Sequence, residues 1–146
     1  MGLKAVFLIR CIYTLTLRSV KARTIGKHKP HTRKRFSHME DHCLFCNIAG
    51  GCTDTRFVFE NEHVVVFKDI HPQAPVHLLA VPKKHIRSIN DLTDKDRIIV
   101  AELIDVARLV AKQQGIGKSG YKLVFNVESG GGQVIFHLHL HLIGGW

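Results

Sequence analysis

The chain has 146 residues, 45% of them hydrophobic, enough to build one domain around a single core. Its formal charge of +9 is unevenly placed: ten of the 21 Lys and Arg fall in residues 1–38, which hold no acid, so the other eleven face all twelve acids and residues 39–146 are one charge negative. That near neutrality gives the folded part no nucleic-acid footprint, and a core of this size needs no disulfide framework from Cys11, Cys43, Cys46 and Cys52.

Residues 1–38 read as a basic N-terminal extension and residues 39–146 as the domain. The apolar run at 5–9 is cut by Arg10, and its continuation is diluted by Thr14 and Thr16, which is too short and broken for a transmembrane helix. An acid-free, Arg-rich segment with Ser and Thr fits an organellar transit peptide, mitochondrial or other, better than a secretory signal, because no small-x-small cleavage site follows cleanly. An alternative is a disordered extension with Met39 as the working start, which leaves a cytoplasmic or nuclear protein. A further alternative is a basic arm that touches anionic membrane or nucleic acid.

From Asp41 the texture changes. Residues 44–48 form a short apolar turn or helix closed by Gly50-Gly51. Residues 56–60 and 64–68 read as strands around Asn61-Glu62, and 69–75 as a loop stiffened by Pro72 and Pro75. A strand at 77–81 ends at Pro82. The clearest helix spans 94–114: Thr93 caps it with Asp96 three residues on, and Ile99, Leu103, Val106, Ala107 and Val110 form its apolar stripe. Gly115 and Gly117 stop it. A strand at 121–126 and a glycine-rich loop at 128–133 follow. The last strand alternates histidine with leucine from Phe136 on. Three strands, a helix and two strands with short connections argue an α+β fold: an antiparallel sheet with one packed helix.

The alternation puts Leu138, Leu140 and Leu142 into a core and His137, His139 and His141 on the opposite face. A merely polar sheet face would not be all histidine. A metal site accommodates two imidazoles at i, i+2, but the third is hard to bring round. The preferred reading is catalysis, with one imidazole attacking while its neighbours fix its tautomer and bind developing charge. Ser129-Gly130-Gly131-Gly132-Gln133 is a flexible hairpin loop when taken alone. Set against three histidines it becomes a phosphate cradle of backbone N–H groups, with Gln133 as a side-chain donor and Asn126 within reach. Asp69 suits a ribose diol or, more ordinarily, a turn cap. His77 and His85 stand at opposite ends of one strand, and Cys43-x-x-Cys46 reads as a metal or redox pair.

His137-Leu-His139-Leu-His141-Leu-Ile143 resembles the signature of the histidine triad nucleotide-binding family. Gly-Gly-Gln before it, Asp69-Ile70, Pro72-Gln73-Ala74-Pro75, His77, Pro82-Lys83-Lys84-His85 and the trailing Gly144-Gly145 resemble its Hint branch, and the likeness covers residues 42–145. The resemblance implies five antiparallel strands with one long helix and a short N-terminal one, dimerising into a continuous sheet. It implies hydrolysis of purine nucleoside phosphoramidates and acyl-adenylates with release of AMP, without a cofactor for the chemistry. A rival role is a non-catalytic AMP-binding sensor or scaffold.

By the same resemblance His139 is the nucleophile and His137 orients it. His141, Gln133, Gly132 and the Val134 N–H bind phosphate, and Asn126 holds phosphate and ribose. Asp69 and Ile70 contact ribose; Leu44, Phe45, Ile48 and Phe67 line the base pocket; His77 joins the catalytic set. Val134 stands where animal members carry a serine. The sequence ends at Trp146, short of the tail that tunes leaving-group choice in that branch, so the resemblance implies the reaction type but not the leaving group. Cys43 and Cys46 are half of a tetrahedral zinc site. His85 and His137 complete a closed Cys2His2 set, as in several bacterial-type members; the alternative is two thiols packed as small apolar residues.

Overall fold

Val64, Val65, Val66 and Phe67 are consecutive β-branched or aromatic residues, all buried, the pattern of a strand covered on both faces. In the computed structural model, which describes residues 43–146, they form β2 (Val64–Lys68), paired antiparallel with β1 (Phe57–Glu60) and β3 (Val76–Pro82). The basic extension at 1–38 lies outside the described residues. β5 (Leu140–Gly144) pairs with β3 and with β4 (Tyr121–Val124), closing a five-stranded antiparallel sheet of order β1-β2-β3-β5-β4.

Each face of the sheet has its own cover. Val64, Val66, Leu78, Ala80, Leu140 and Leu142 pack on the long helix α2 (Arg97–Gln113) through Leu103, Val106, Ala107, Val110 and Ala111. The other parity of β2 and β3 (Val65, Phe67, Leu79 and Val81) packs on the short helix α1 (Leu44–Ala49) through Phe45, Ile48 and Ala49. α1 covers only part of that face. His77 and His141 share it, because both fall on the odd positions of neighbouring strands.

Several element boundaries differ from the sequence reading, and three of them bear on the site or its helix. The long helix starts with a 3-10 turn at Asp94–Asp96, where the Thr93 N–H donates to Asp96 Oδ2 at 3.0 Å, and becomes α-helical from Arg97. β4 ends at Val124, two residues before Asn126. The histidine strand begins at Leu140 rather than Phe136. The β3–β5 register would set Leu138 opposite Pro82, which has no N–H to give to the ladder. The Leu138 N–H turns instead to the Ile86 carbonyl, and the freed Pro82 carbonyl accepts from His137 Nε2 at 2.8 Å. The leucines still enter the core at 1–2% exposure, but the three imidazoles no longer form a row on one strand face.

Candidate active site and candidate metal centre

The break in the ladder gives the middle histidine a defined tautomer. His139 Nδ1 lies 2.6 Å from the His137 carbonyl oxygen. An oxygen acceptor requires a proton on that nitrogen, so Nε2 keeps its lone pair free for attack. The ring is 7% exposed, with the edge of Phe45 at 5.1 Å between centroids and His141 at 5.0 Å. Burial lowers its pKa below the ordinary 6.5, which keeps it neutral and nucleophilic.

A second chain of hydrogen bonds fixes His141. The Gln73 N–H donates to His77 Nδ1 at 3.1 Å, so His77 carries its proton on Nε2. That proton faces His141 Nδ1 at 2.9 Å and Asp69 Oδ2 at 3.3 Å. His141 Nδ1 therefore accepts, and its own proton sits on Nε2, with Asn126 Nδ2 3.3 Å away. Burial first, then His139 and His77, pushes the His141 pKa down to about 4. Asp69, His77 and His141 also cluster closely enough to suggest a cation site. The proton on His77 Nε2 removes the lone pair such a site would need, so this group is a hydrogen-bonded relay.

The third group is different in kind. Cys43 Sγ and Cys46 Sγ each lie 3.4 Å from His137 Nδ1, and His85 Nδ1 lies 3.2 Å from both Cys46 Sγ and His137 Nδ1. Cys43 is a free thiol. With its Nε2 proton committed to Pro82, His137 turns a lone pair towards the other three donors. Bonds of about 2.1 Å to nitrogen and 2.3 Å to sulfur in a tetrahedron set neighbouring donors about 3.4–3.8 Å apart. The four residues fit a small tetrahedral metal ion, with no open position for a substrate. His137 is fully buried, and burial, ahead of its neighbours His85 and His139, pushes its pKa down to about 4.

The glycine loop is built differently from the sequence reading. Gln133, expected to offer its amide to a phosphate, is buried at 3% exposure. Its Nε2 donates to the carbonyls of Arg87 and Ile135, and its Oε1 accepts from the Glu128 N–H. The Gly132 N–H, expected to point at the same ligand, closes a 3-10 turn (Ser129–Gly131) on the Ser129 carbonyl at 3.0 Å. Val134 is 86% exposed beside them, and its N–H is not used within the loop. Asn126 lies against Gly132, where an added Cβ would meet its Cγ at 3.9 Å.

Of the residues assigned to a base pocket, Phe45, Ile48 and Phe67 are buried together, with the Phe45 and Phe67 rings edge to face at 5.7 Å, while Leu44 is half exposed. Ile70 is exposed, and Asp69 Oδ1 accepts the His71 N–H at 2.8 Å in a local turn. Sequence reasoning missed Arg87 and Glu128. Arg87 grips Glu128 through two bonds, Nη1 to Oε1 at 2.8 Å and Nη2 to Oε2 at 2.6 Å, and lies 4.7 Å over the Phe136 ring. The one signal was an acidic residue opening a glycine run; nothing local pointed to an arginine 41 residues earlier.

Comparison with known proteins identifies the family. Residues 42–145 match a family model described as the scavenger mRNA decapping enzyme C-terminal binding domain. The purine nucleoside phosphoramidase of Escherichia coli K12 is 36% identical over 107 residues, covering 73% of this chain and 90% of that protein. A HIT family hydrolase from Legionella pneumophila superposes with a TM-score of 0.70 at 51% identity, over 71% of this chain and 93% of that one. A zinc-bound histidine triad family protein from Mycobacterium smegmatis superposes with a TM-score of 0.64 at 27% identity, over 73% of this chain and 77% of that one. The chain belongs to the histidine triad family and sits with its Hint-like branch.

Proposed function

We propose that this chain hydrolyses purine nucleoside phosphoramidates and acyl-adenylates, releasing AMP through a covalent intermediate on His139. The observation that carries the reading is the locked tautomer of His139, a neutral imidazole with Nε2 bare. The likeness to the Escherichia coli phosphoramidase supplies the substrate class. His139 Nε2 attacks phosphorus, and the bond to the amine breaks as the amine nitrogen takes a proton from solvent and leaves. Water then attacks phosphorus, giving a proton back to solvent, and the P–Nε2 bond breaks, freeing AMP and restoring the imidazole lone pair. Splitting one displacement into two eases each, and the cationic ring of the intermediate is a good leaving group. His141 Nε2–H and the Val134 N–H donate to the phosphoryl oxygens, a kind of donor worth about 10²–10³ in rate. Asp69 and Ile70 take the ribose, and Phe45, Ile48, Phe67 and Leu44 wall the purine.

Cys43, Cys46, His85 and His137 hold a zinc ion in this reading. The ion supplies a structural cross-link between α1 and the triad, and no step of the reaction passes through it. The active form is a homodimer through the β4 edge, where Leu123 is exposed, and light scattering should return twice the chain mass.

The test is amine release from an adenosine phosphoramidate. Wild type should exceed His139→Ala by about 10⁴-fold or more, as for loss of a nucleophile. Equal rates would leave an AMP-binding protein without turnover.

A further inference from the structure

Glu128 is the one non-glycine among the described residues with positive φ, at φ 57° and ψ 173°. That region suits glycine, and a side chain stays there only where its surroundings hold it. The surroundings here are Arg87. Its guanidinium takes both Glu128 oxygens, a fork-to-fork pair that sets the carboxylate's direction as well as its distance. Its carbonyl accepts from Gln133 Nε2, and its plane lies over Phe136, next to the first triad histidine. Glu128 in turn accepts the Gly131 and Gln133 N–H groups on its carbonyl, so its backbone angles set the curl of the whole glycine loop. Asn90 Nδ2 at 3.5 Å, the Ser88 side chain, which also hydrogen-bonds Glu128, and the Arg87–Asp91 pair at 3.1 Å stand around the clasp.

We propose that Arg87 is a positioning residue for the reaction: by clasping Glu128 in its left-handed conformation it holds the glycine loop at the distance from His139 and His141 that phosphate binding needs. The inference rests on the reading of this loop as the phosphate cradle. Arg87 touches neither the triad rings nor any reacting atom. Its effect runs through one backbone conformation, and that makes the role separable from simple support. A glycine at position 128 adopts the same angles without help, so it should make the clasp dispensable.

The experiment compares wild type, Arg87→Met, Glu128→Gly and the double variant, using an adenosine phosphoramidate for turnover and amide hydrogen exchange at residues 130–134 for loop order. Arg87→Met should lower kcat/KM about 10- to 100-fold in the Glu128 background, the scale of a small displacement at the reacting centre. In the Glu128→Gly background it should change kcat/KM by no more than about twofold, the size of the scatter in such double-variant comparisons, because the two residues act as one unit. Loop exchange should quicken in Arg87→Met and be unaffected by the same change in the Glu128→Gly background. An equal loss in both backgrounds, or no loss in either, overturns the proposal. If the wild type does not turn over the phosphoramidate, the proposed function fails and the exchange comparison alone decides the clasp: equal loop exchange with and without Arg87 overturns it. Should Arg87→Met not fold, Arg87→Lys carries the same comparison, since it keeps the charge and loses the fork.

Discussion

His139 and His141 carry protons on opposite nitrogens, and each choice traces to a backbone group. The His137 carbonyl sets the first and the Gln73 N–H, through His77, sets the second. One ring therefore offers a lone pair where its neighbour offers a proton. The arrangement needs both rings neutral, and burial enforces it. For His141 the folded pKa of about 4 lies below the ordinary 6.5. Above pH 6.5 the folded and unfolded chains are both neutral there, and the fold has its full stability. As pH falls from 6.5 to 4 the unfolded chain takes up a proton that the folded chain refuses, and stability is lost until the effect levels off below the folded pKa. Thermal melting should therefore fall across that window and fall less in His141→Gln. The acid limb of kcat/KM should sit below pH 6.5. An acid limb at or above 6.5 would mean that the site histidines titrate as free imidazoles.

At the scale of elements, the alternation of leucine with histidine and the stripe of α2 were legible in the sequence, because a period of two or 3.6 survives in any context that buries one face. The start of β5 was not legible, because Pro82 sits on the partner strand and its missing N–H matters only once the register is set. Gln133 was misplaced for a similar reason. A glutamine beside a glycine run reads as a ligand donor until the Arg87 and Ile135 carbonyls are found within 2.7 and 3.2 Å of it. The Cys43-x-x-Cys46 pair was legible, and the fold brings its partners from the turn after β3 and the segment before β5. If those four residues hold zinc, α1 is tied to His137, whose carbonyl fixes His139. Purified protein should then carry close to one zinc per chain by metal analysis, and Cys43→Ala should lose the metal and lower the melting temperature. Metal-free protein with the same melting temperature as Cys43→Ala would make the thiols ordinary packing.

For the whole molecule, charge divides the chain unevenly. Residues 1–38 carry the basic excess, and residues 39–146 are close to neutral. We propose that the basic segment directs the protein to mitochondria or another organelle, so residues 1–38 fused to a fluorescent reporter should deliver it there. A diffuse cytosolic and nuclear signal would favour a start at Met39. Within the domain, the sheet has one face sealed by α2, while the other is shared between α1 and the histidines.

The proposed reaction makes two displacements at phosphorus: His139 Nε2 displaces the amine, and water then displaces His139. The stereochemical course tests it without requiring the intermediate to accumulate. Hydrolysis of an adenosine phosphoramidothioate of known configuration at phosphorus, run in isotopically labelled water, should give thio-AMP with overall retention, because two inversions cancel. Overall inversion would show a single direct attack by water and contradict the covalent role of His139.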